Sequence, residues 1–208
     1  VITVIPYYND WLVDLPSVAA VAGVDMEYIL KKWEGLGYYA RARNFYYACE
    51  IIINKFDGNI PYDYDDFLSL PGVGPYIAGA VLSIAYNIPI PAVDGNAYRV
   101  ISRINSIDLS FNKCKKEITK FLSDYIPSDR PGDFNQAIMD IGRELCTPKN
   151  PLCHICPLQQ NCSAHVNNVV DKYPIRSRRT KKPHYKVAVG IVWKNNKILI
   201  SKRIEKGL

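Results

Sequence analysis

The sequence predicts an all-α body followed by the opening of a small β element. Three observations predict it. Apolar residues recur every three or four positions through the first 145 residues. The stretches between these runs are short and polar or Pro-rich, as between the helices of a compact bundle. After Cys162 the pattern gives way to a cation-rich stretch and then to alternation with a period of two.

Tyr28, Ile29, Leu30 and Trp33 fall on helical spacing, and Gly35 and Gly37 stop that helix. Tyr39–Lys55 is a second helix, with Phe45, Ala48, Ile52 and Phe56 recurring on one face. Pro75–Ala85 is a third and opens with Pro in the first turn. Val93–Ile104 is a fourth, with Asp94 as a natural N-cap. Lys113–Tyr125 and Gly132–Leu145 complete the set. Residues 171–183 hold many cations and few apolar groups, which is the composition of a linker. Tyr185–Trp193 then alternates around Val187, Val189 and Ile191, and Lys197–Arg203 around Ile198 and Ile200. Asn195-Asn196 between them suits a tight turn with positive φ, so the two runs read as a hairpin opening a second domain.

At 208 residues and 23.6 kDa the chain has room for one domain and part of another. A hydrophobic content of 48% excludes wholesale disorder. The longest apolar stretch, Ile77–Tyr86, ends at Asn87 and Pro89 and is too short to span a bilayer. The chain opens at Val1 without a basic region ahead of an apolar run, so no secretory signal is expected. The net charge of +6 is unevenly spread. Residues 1–170 carry 14 basic and 18 acidic side chains, whereas residues 171–208 carry 12 and 2. The body is therefore acidic. If it binds nucleic acid, it must do so through backbone amides and a few placed cations rather than a broad positive field.

Four of the six cysteines crowd into Cys146-x6-Cys153-x2-Cys156-x5-Cys162. Zinc ribbons usually show two close pairs separated by a longer loop. One close pair with two flanking singles suits a loop wrapped around a larger object, so the spacing favours an iron–sulfur cluster over zinc or unliganded thiols in a reducing compartment. Cys49 and Cys114 fit helices as small buried residues. His154, His165 and His184 have no partners at useful spacing.

Leu70-Pro71-Gly72-Val73-Gly74-Pro75-Tyr76 lies between two helices. Two glycines two apart can take positive φ and expose successive amides, and the next helix begins at once with its dipole pointing the same way. The result is a phosphate-sized anion site, or else a tight turn with Gly caps. Asp94 after the apolar run Ile88–Val93 is either a plain N-cap or a carboxylate held at the edge of an apolar pocket, where it would steady a developing positive charge. Tyr38 and Tyr39 follow Gly35-Leu36-Gly37 and serve either core packing or as a wedge into a base stack.

Taken in order, these features resemble the helix-hairpin-helix DNA glycosylases that carry a C-terminal iron–sulfur loop. Within that superfamily, Gly72–Tyr76, Val93–Asn96, Arg99-Val100 and the segment Trp33–Asn44 are similar to the MutY-type adenine DNA glycosylase branch. The bifunctional endonuclease III branch places a Schiff-base Lys where this chain has Tyr76. The resemblance covers residues 1 to about 170, and the last 25 resemble the start of that branch's Nudix-like, 8-oxoguanine-recognising domain. It implies two helical lobes at 1–107 and 108–168, a basic linker at 169–183 and a truncated Nudix-like start at 184–208. It further implies a 4Fe-4S cluster on Cys146, Cys153, Cys156 and Cys162.

The implied activity is hydrolysis of the N-glycosidic bond of adenine mispaired with 8-oxoguanine or guanine in double-stranded DNA, in base excision repair. The implied protein is a monomer without membrane contact, in the bacterial cytoplasm or nucleoid or in a eukaryotic nucleus or mitochondrion. By the resemblance Asp94 stands beside the sugar, Asn96 orients it and Tyr76 lines the pocket. Gly72, Val73 and Gly74 contact DNA, and Tyr38 is the wedge. The branch's general acid is a Glu in an E-x-M-L-Q-Q-T motif upstream of a segment like Val1–Tyr8, and no such motif stands in this stretch. The expectation is an internal fragment, catalytically crippled alone yet able to hold a cluster. Two other readings stand beside this one: an endonuclease III-like bifunctional lyase, and a non-catalytic DNA-binding module.

Overall fold

The computed structural model describes residues 3–175, 184, 186 and 188–201. The chain divides into two units, Val1–Ser177 and Arg178–Leu208.

The first unit opens with α1 (Val4–Asp14), α2 (Val18–Ala22), α3 (Met26–Lys32) and α4 (Tyr39–Phe56). Ser17 caps α2 by accepting from Ala20 N at 3.1 Å, and Asp25 caps α3 by accepting from Tyr28 N at 2.7 Å. These helices bury Leu15, Val21, Ile29, Ala42 and Cys49 in one cluster, with Trp11 set edge-on to Trp33 at 5.8 Å. Lys32 fastens α3 to α1 through Asp10 and Asp14, and the Tyr28 hydroxyl donates to Asp14 at 3.0 Å. At the far end of α4, Asp57 (φ 51°) and Gly58 (φ 79°) turn the chain out of the helix.

α5 (Tyr64–Leu68), capped by Asp63, leads into the hairpin and then α6 (Pro75–Tyr86). Phe67, Leu70, Ala78 and Leu82 pack with Ala48 and Ile52 of α4 in a second cluster. A third cluster gathers Val93, Ala97, Tyr98, Val100, Ile101, Cys114, Ile118, Leu122 and Ile138. It joins α7 (Gly95–Ile104), α8 (Phe111–Tyr125) and α9 (Pro131–Asp140). The hydrophobic clusters therefore part between Ile90 and Val93, whereas the sequence reading draws its lobe boundary at 107.

Where one helix was expected over 132–145, α9 ends at Asp140 and a wider π turn, Ile141–Leu145, delivers Cys146. Two glycines in this region admit backbone against backbone: a Cβ on Gly79 would lie 2.4 Å from Pro91 O and one on Gly132 2.9 Å from Ile84 Cα; a third, Gly142, admits the root of the Asn96 side chain, whose Cβ would lie 2.5 Å from a Cβ there. After α10 (Ser163–Val166) the chain packs back onto the helices as far as Ile175. Tyr173 is buried, and Ile175 forms a parallel bridge with Ser110. Residues 169–175, expected to open the linker, are packed on the helices, because Tyr173 supplies an apolar anchor that the cation count conceals. Residues 176–183, Tyr185, Val187 and Arg203, named in the linker and hairpin expectations, lie outside the described residues.

In the second unit β1 (Trp193–Lys194) pairs antiparallel with β2 (Lys197–Ile198), Trp193 opposite Ile198. Asn195 and Asn196 take φ 50° and 58°, the left-handed pair of a type I′ turn. The strands are shorter than the alternation suggests, and Val189, Ile191 and Ile200 stand exposed, without the packing layer that extends a two-stranded ribbon. Among the described residues no helix is long and apolar enough to cross a membrane.

Candidate nucleic-acid interface and iron–sulfur centre

The hairpin is built by two glycines in different ways. Gly72 takes φ +78° and lies so close to α4 that a Cβ would stand 2.7 Å from Asn44 Cβ. Gly74 is extended (φ −110°, ψ 174°) and is the N-cap of α6, so the positive φ expected of both occurs at one. No side chain caps α6, and a Cβ on Gly74 would meet nothing, so its amide end is open. Val73 N closes the turn by donating to Leu70 O at 3.1 Å. Tyr76 follows in the first turn of α6, 42% exposed. Tyr38, the residue before α4, takes φ 49° and is 76% exposed, with the Arg41 guanidinium 4.8 Å over its ring. Both readings of Tyr38 were open in the sequence; this exposure is not core packing.

Asp94 caps α7. Its Oδ1 accepts from Ala97 N at 2.7 Å and its Oδ2 from Asn96 Nδ2 at 2.9 Å. Asn96 Oδ1 in turn accepts from Arg99 Nη2 at 2.9 Å, and Arg99 Nε donates to Cys146 O at 2.7 Å. A continuous chain of hydrogen bonds thus runs from the carboxylate to the first cysteine of the array. Burial holds the Arg99 guanidinium below its ordinary value. The segment leading to Asp94 is pinned from α9. Asn135 Oδ1 accepts from Ala92 N at 3.0 Å, while its Nδ2 donates to Ser83 Oγ at 2.8 Å and to Ile90 O at 2.9 Å. The sequence reading did not single out Asn135 and used Arg99 only as part of a motif. Asn135 carries no local signal, because its partners lie far along the chain; Arg99 has Gly95 and Asn96 close by, but its contacts to Gly142 and Cys146 are equally remote.

A cavity of about 750 Å³ opens beside the hairpin, lined by apolar groups that include Trp11, Leu15, Phe45 and Ile77. Asp94 and Tyr76 do not line it.

The four cysteines of the array are half-buried and form no disulfide. Cys146 N donates to Ile141 O at the end of the π turn, Cys153 opens a 3₁₀ turn, Cys156 closes it, and Cys162 O receives the first amides of α10. Burial pushes the Cys153 thiol up, and the neighbouring Cys146 and Cys162 sulfurs add to it. Cys162 is raised by the same leading cause. Among the described residues no three His, Cys, Asp or Glu side chains are drawn together as around a single ion. A soft, all-sulfur donor set on one short loop fits an iron–sulfur cluster. Cys49 and Cys114 are buried in the helical clusters, and burial pushes Cys49 up to about 11, the behaviour of a packing residue.

A helix–hairpin–helix with an open amide end, a capped carboxylate beyond it and a cysteine loop place the molecule among DNA repair folds. Residues 1–128 match the HhH-GPD superfamily of base excision DNA repair proteins, and the chain belongs to that superfamily. Residues 146–162 match the iron–sulfur binding domain of endonuclease III, and the cofactor is a 4Fe-4S cluster. The chain is 36% identical over 209 residues to the adenine DNA glycosylase of Buchnera aphidicola subsp. Baizongia pistaciae, covering 99% of this chain and 59% of that protein. It is 40% identical over 169 residues to the adenine DNA glycosylase of Schizosaccharomyces pombe, covering 78% of this chain and 36% of that one. A solved thermostable thymine-DNA glycosylase superposes with a TM-score of 0.73 at 27% identity, over 79% of this chain and 76% of that one. The chain spans less than two thirds of the curated relatives it matches.

Proposed function

We propose that this chain forms the hairpin-bearing and cluster-bearing part of an adenine DNA glycosylase acting on adenine mispaired with 8-oxoguanine or guanine in duplex DNA. The observation that carries the reading is the fixed carboxylate of Asp94, both oxygens of which are occupied by donors from its own helix turn. Cleaving an N-glycosidic bond leaves positive charge on the sugar and negative charge on the base. A carboxylate that cannot swing away is suited to face that sugar. Asn96 orients Asp94, and Tyr76, outside the apolar cavity beside the hairpin, stands near the reacting sugar. Gly72 and Gly74 offer their amides to a phosphate, with Val73, whose own amide closes the turn on Leu70 O, set between them, and Tyr38 enters the stack so that the adenine can leave it. With Tyr at position 76 no Schiff base forms there, which favours a hydrolase over a lyase.

Cys146, Cys153, Cys156 and Cys162 are the ligands in this reading. Hydrolysis needs no electron transfer, so the cluster's contribution is to brace the loop and bring Lys149 within reach of phosphate. The 208 residues by themselves contain no Glu in the family's general-acid motif, and we infer that this stretch alone cleaves adenine poorly.

The test is single-turnover adenine release from an adenine:8-oxoguanine duplex, with the protein as its gene encodes it. Asp94→Asn is expected to lower the rate by about 10²–10³-fold while duplex binding persists. Borohydride is expected to trap no covalent adduct. Pyrimidine release with a trapped adduct would replace this reading with the endonuclease III type. Near-full activity of the 208-residue stretch would remove the inference about the general acid.

A further inference from the structure

Arg103 is 2% exposed and carries a permanent charge, a combination that is costly unless the charge is answered. Its three donor contacts go to different parts of the cysteine region. Nη1 donates to Cys146 Sγ at 3.2 Å and to Thr147 O at 2.9 Å. Nε donates to Tyr173 O at 3.0 Å. Arg99, one helical turn earlier, is also buried, yet its acceptors are all oxygens. Among the described residues Arg103 is therefore the cation whose hydrogen bond ends on a sulfur of the array. It also grips the chain on both sides of the loop, at Cys146–Thr147 where the array begins and at Tyr173 beyond Cys162.

We propose that Arg103 is a positioning residue for the iron–sulfur cluster. Its guanidinium is the buried counter-charge of the thiolate-held cluster, which it retains in the loop and whose reduction potential it raises. This rests on the reading of the four cysteines as ligands. A cluster with four thiolates is anionic, and a buried cation donating to one ligand sulfur draws electron density from it. That stabilises the ligated state against loss, and the more negative, reduced state more than the oxidised one. The contact with Tyr173 O adds a mechanical part, since it holds the strap that follows the loop.

The experiment assembles the cluster in the full chain from ferrous iron and sulfide without oxygen. It then measures iron release to a chelator and the midpoint potential by mediated titration. Arg103→Gln is expected to release iron about 10-fold faster and to shift the potential in the negative direction. Arg103→Lys keeps the charge and loses the fork, so iron leaves faster while more of the potential is kept. The potential separates a charge role from a merely structural one. Release rate and potential unchanged in both variants would overturn the proposal. If Arg103→Gln loses its helices, Arg103→Lys decides alone: a release rate equal to that of the unaltered chain overturns it. An unaltered chain that takes up no cluster overturns the ligand reading, and this proposal falls with it.

Discussion

Gly72 and Gly74 stand two residues apart in one hairpin and answer to opposite constraints. Gly72→Ala places a Cβ at φ +78° and 2.7 Å from Asn44 Cβ, and is expected to cost about 1–3 kcal/mol of stability by urea titration. Gly74→Ala adds a methyl to extended backbone in open space, so the fold is expected to hold. A duplex-binding measurement should nevertheless find it weakened, because the methyl stands at the amide end offered to phosphate. Equal binding by Gly74→Ala would remove the hairpin from the DNA contact. Asn135→Ala leaves Ala92 N and Ile90 O buried without their partner and is expected to destabilise by about 2–4 kcal/mol. Asp94 could be read from the sequence because a cap announces itself locally, just ahead of a helix. Arg103 and Asn135 could not, since their partners lie 43 to 70 residues away, nor could the reach of Arg99 to Gly142 and Cys146, because buried Arg and Asn look like surface residues in a sequence.

Among the elements, the contact of α1 with α3 carries a pH dependence. The Asp14 carboxyl is held below its ordinary 3.8 by hydrogen bonds from Lys32 and then Tyr28. Lys32 is raised by the bonds to Asp14 and Asp10, and Tyr28 by the bond to Asp14. A depressed acid stabilises above its unfolded value and ceases to as pH falls through its folded value. A raised base, or a raised phenol, stabilises below its unfolded value and ceases to as pH climbs through its folded one. The α1–α3 contact should therefore loosen below about pH 4 and above about pH 10 and stay level between. Trp11 and Trp33 lie in edge contact across it, so their emission reports the change; a step between those limits would show that another group governs it. The long helices were legible because a sustained apolar period leaves little choice: Tyr39–Lys55 became Tyr39–Phe56, and Pro75–Ala85 became Pro75–Tyr86. α1 was not. It carries Pro6 near its start and no side-chain cap, and its burial is shallow. The π turn before Cys146 has no sequence signature, because an extra residue in a turn does not disturb apolar spacing over five positions.

For the molecule as a whole, the separate cores predict separate behaviour. Trp11 and Trp33 belong to the cluster built by α1–α4, and the cysteine loop packs on the cluster around α7–α9. Removing iron with a chelator is expected to lower helical circular dichroism and admit protease within 146–175, while the two tryptophans keep their emission. A single transition seen by both probes would mean one cooperative unit. Composition identified neither core, but the cysteine spacing located the loop, because four soft ligands within 17 residues have few other uses.

Where Gly79 and Gly132 let main chain rest on main chain, and Gly142 on the root of the Asn96 side chain, nothing compressible lies between the parts. Side-chain layers elsewhere can re-pick rotamers to absorb a shift; these three places have no such cushion. They act as bearings, and a displacement of the π turn at Gly142 passes undamped to Asn96 and from there to the carboxylate it steadies.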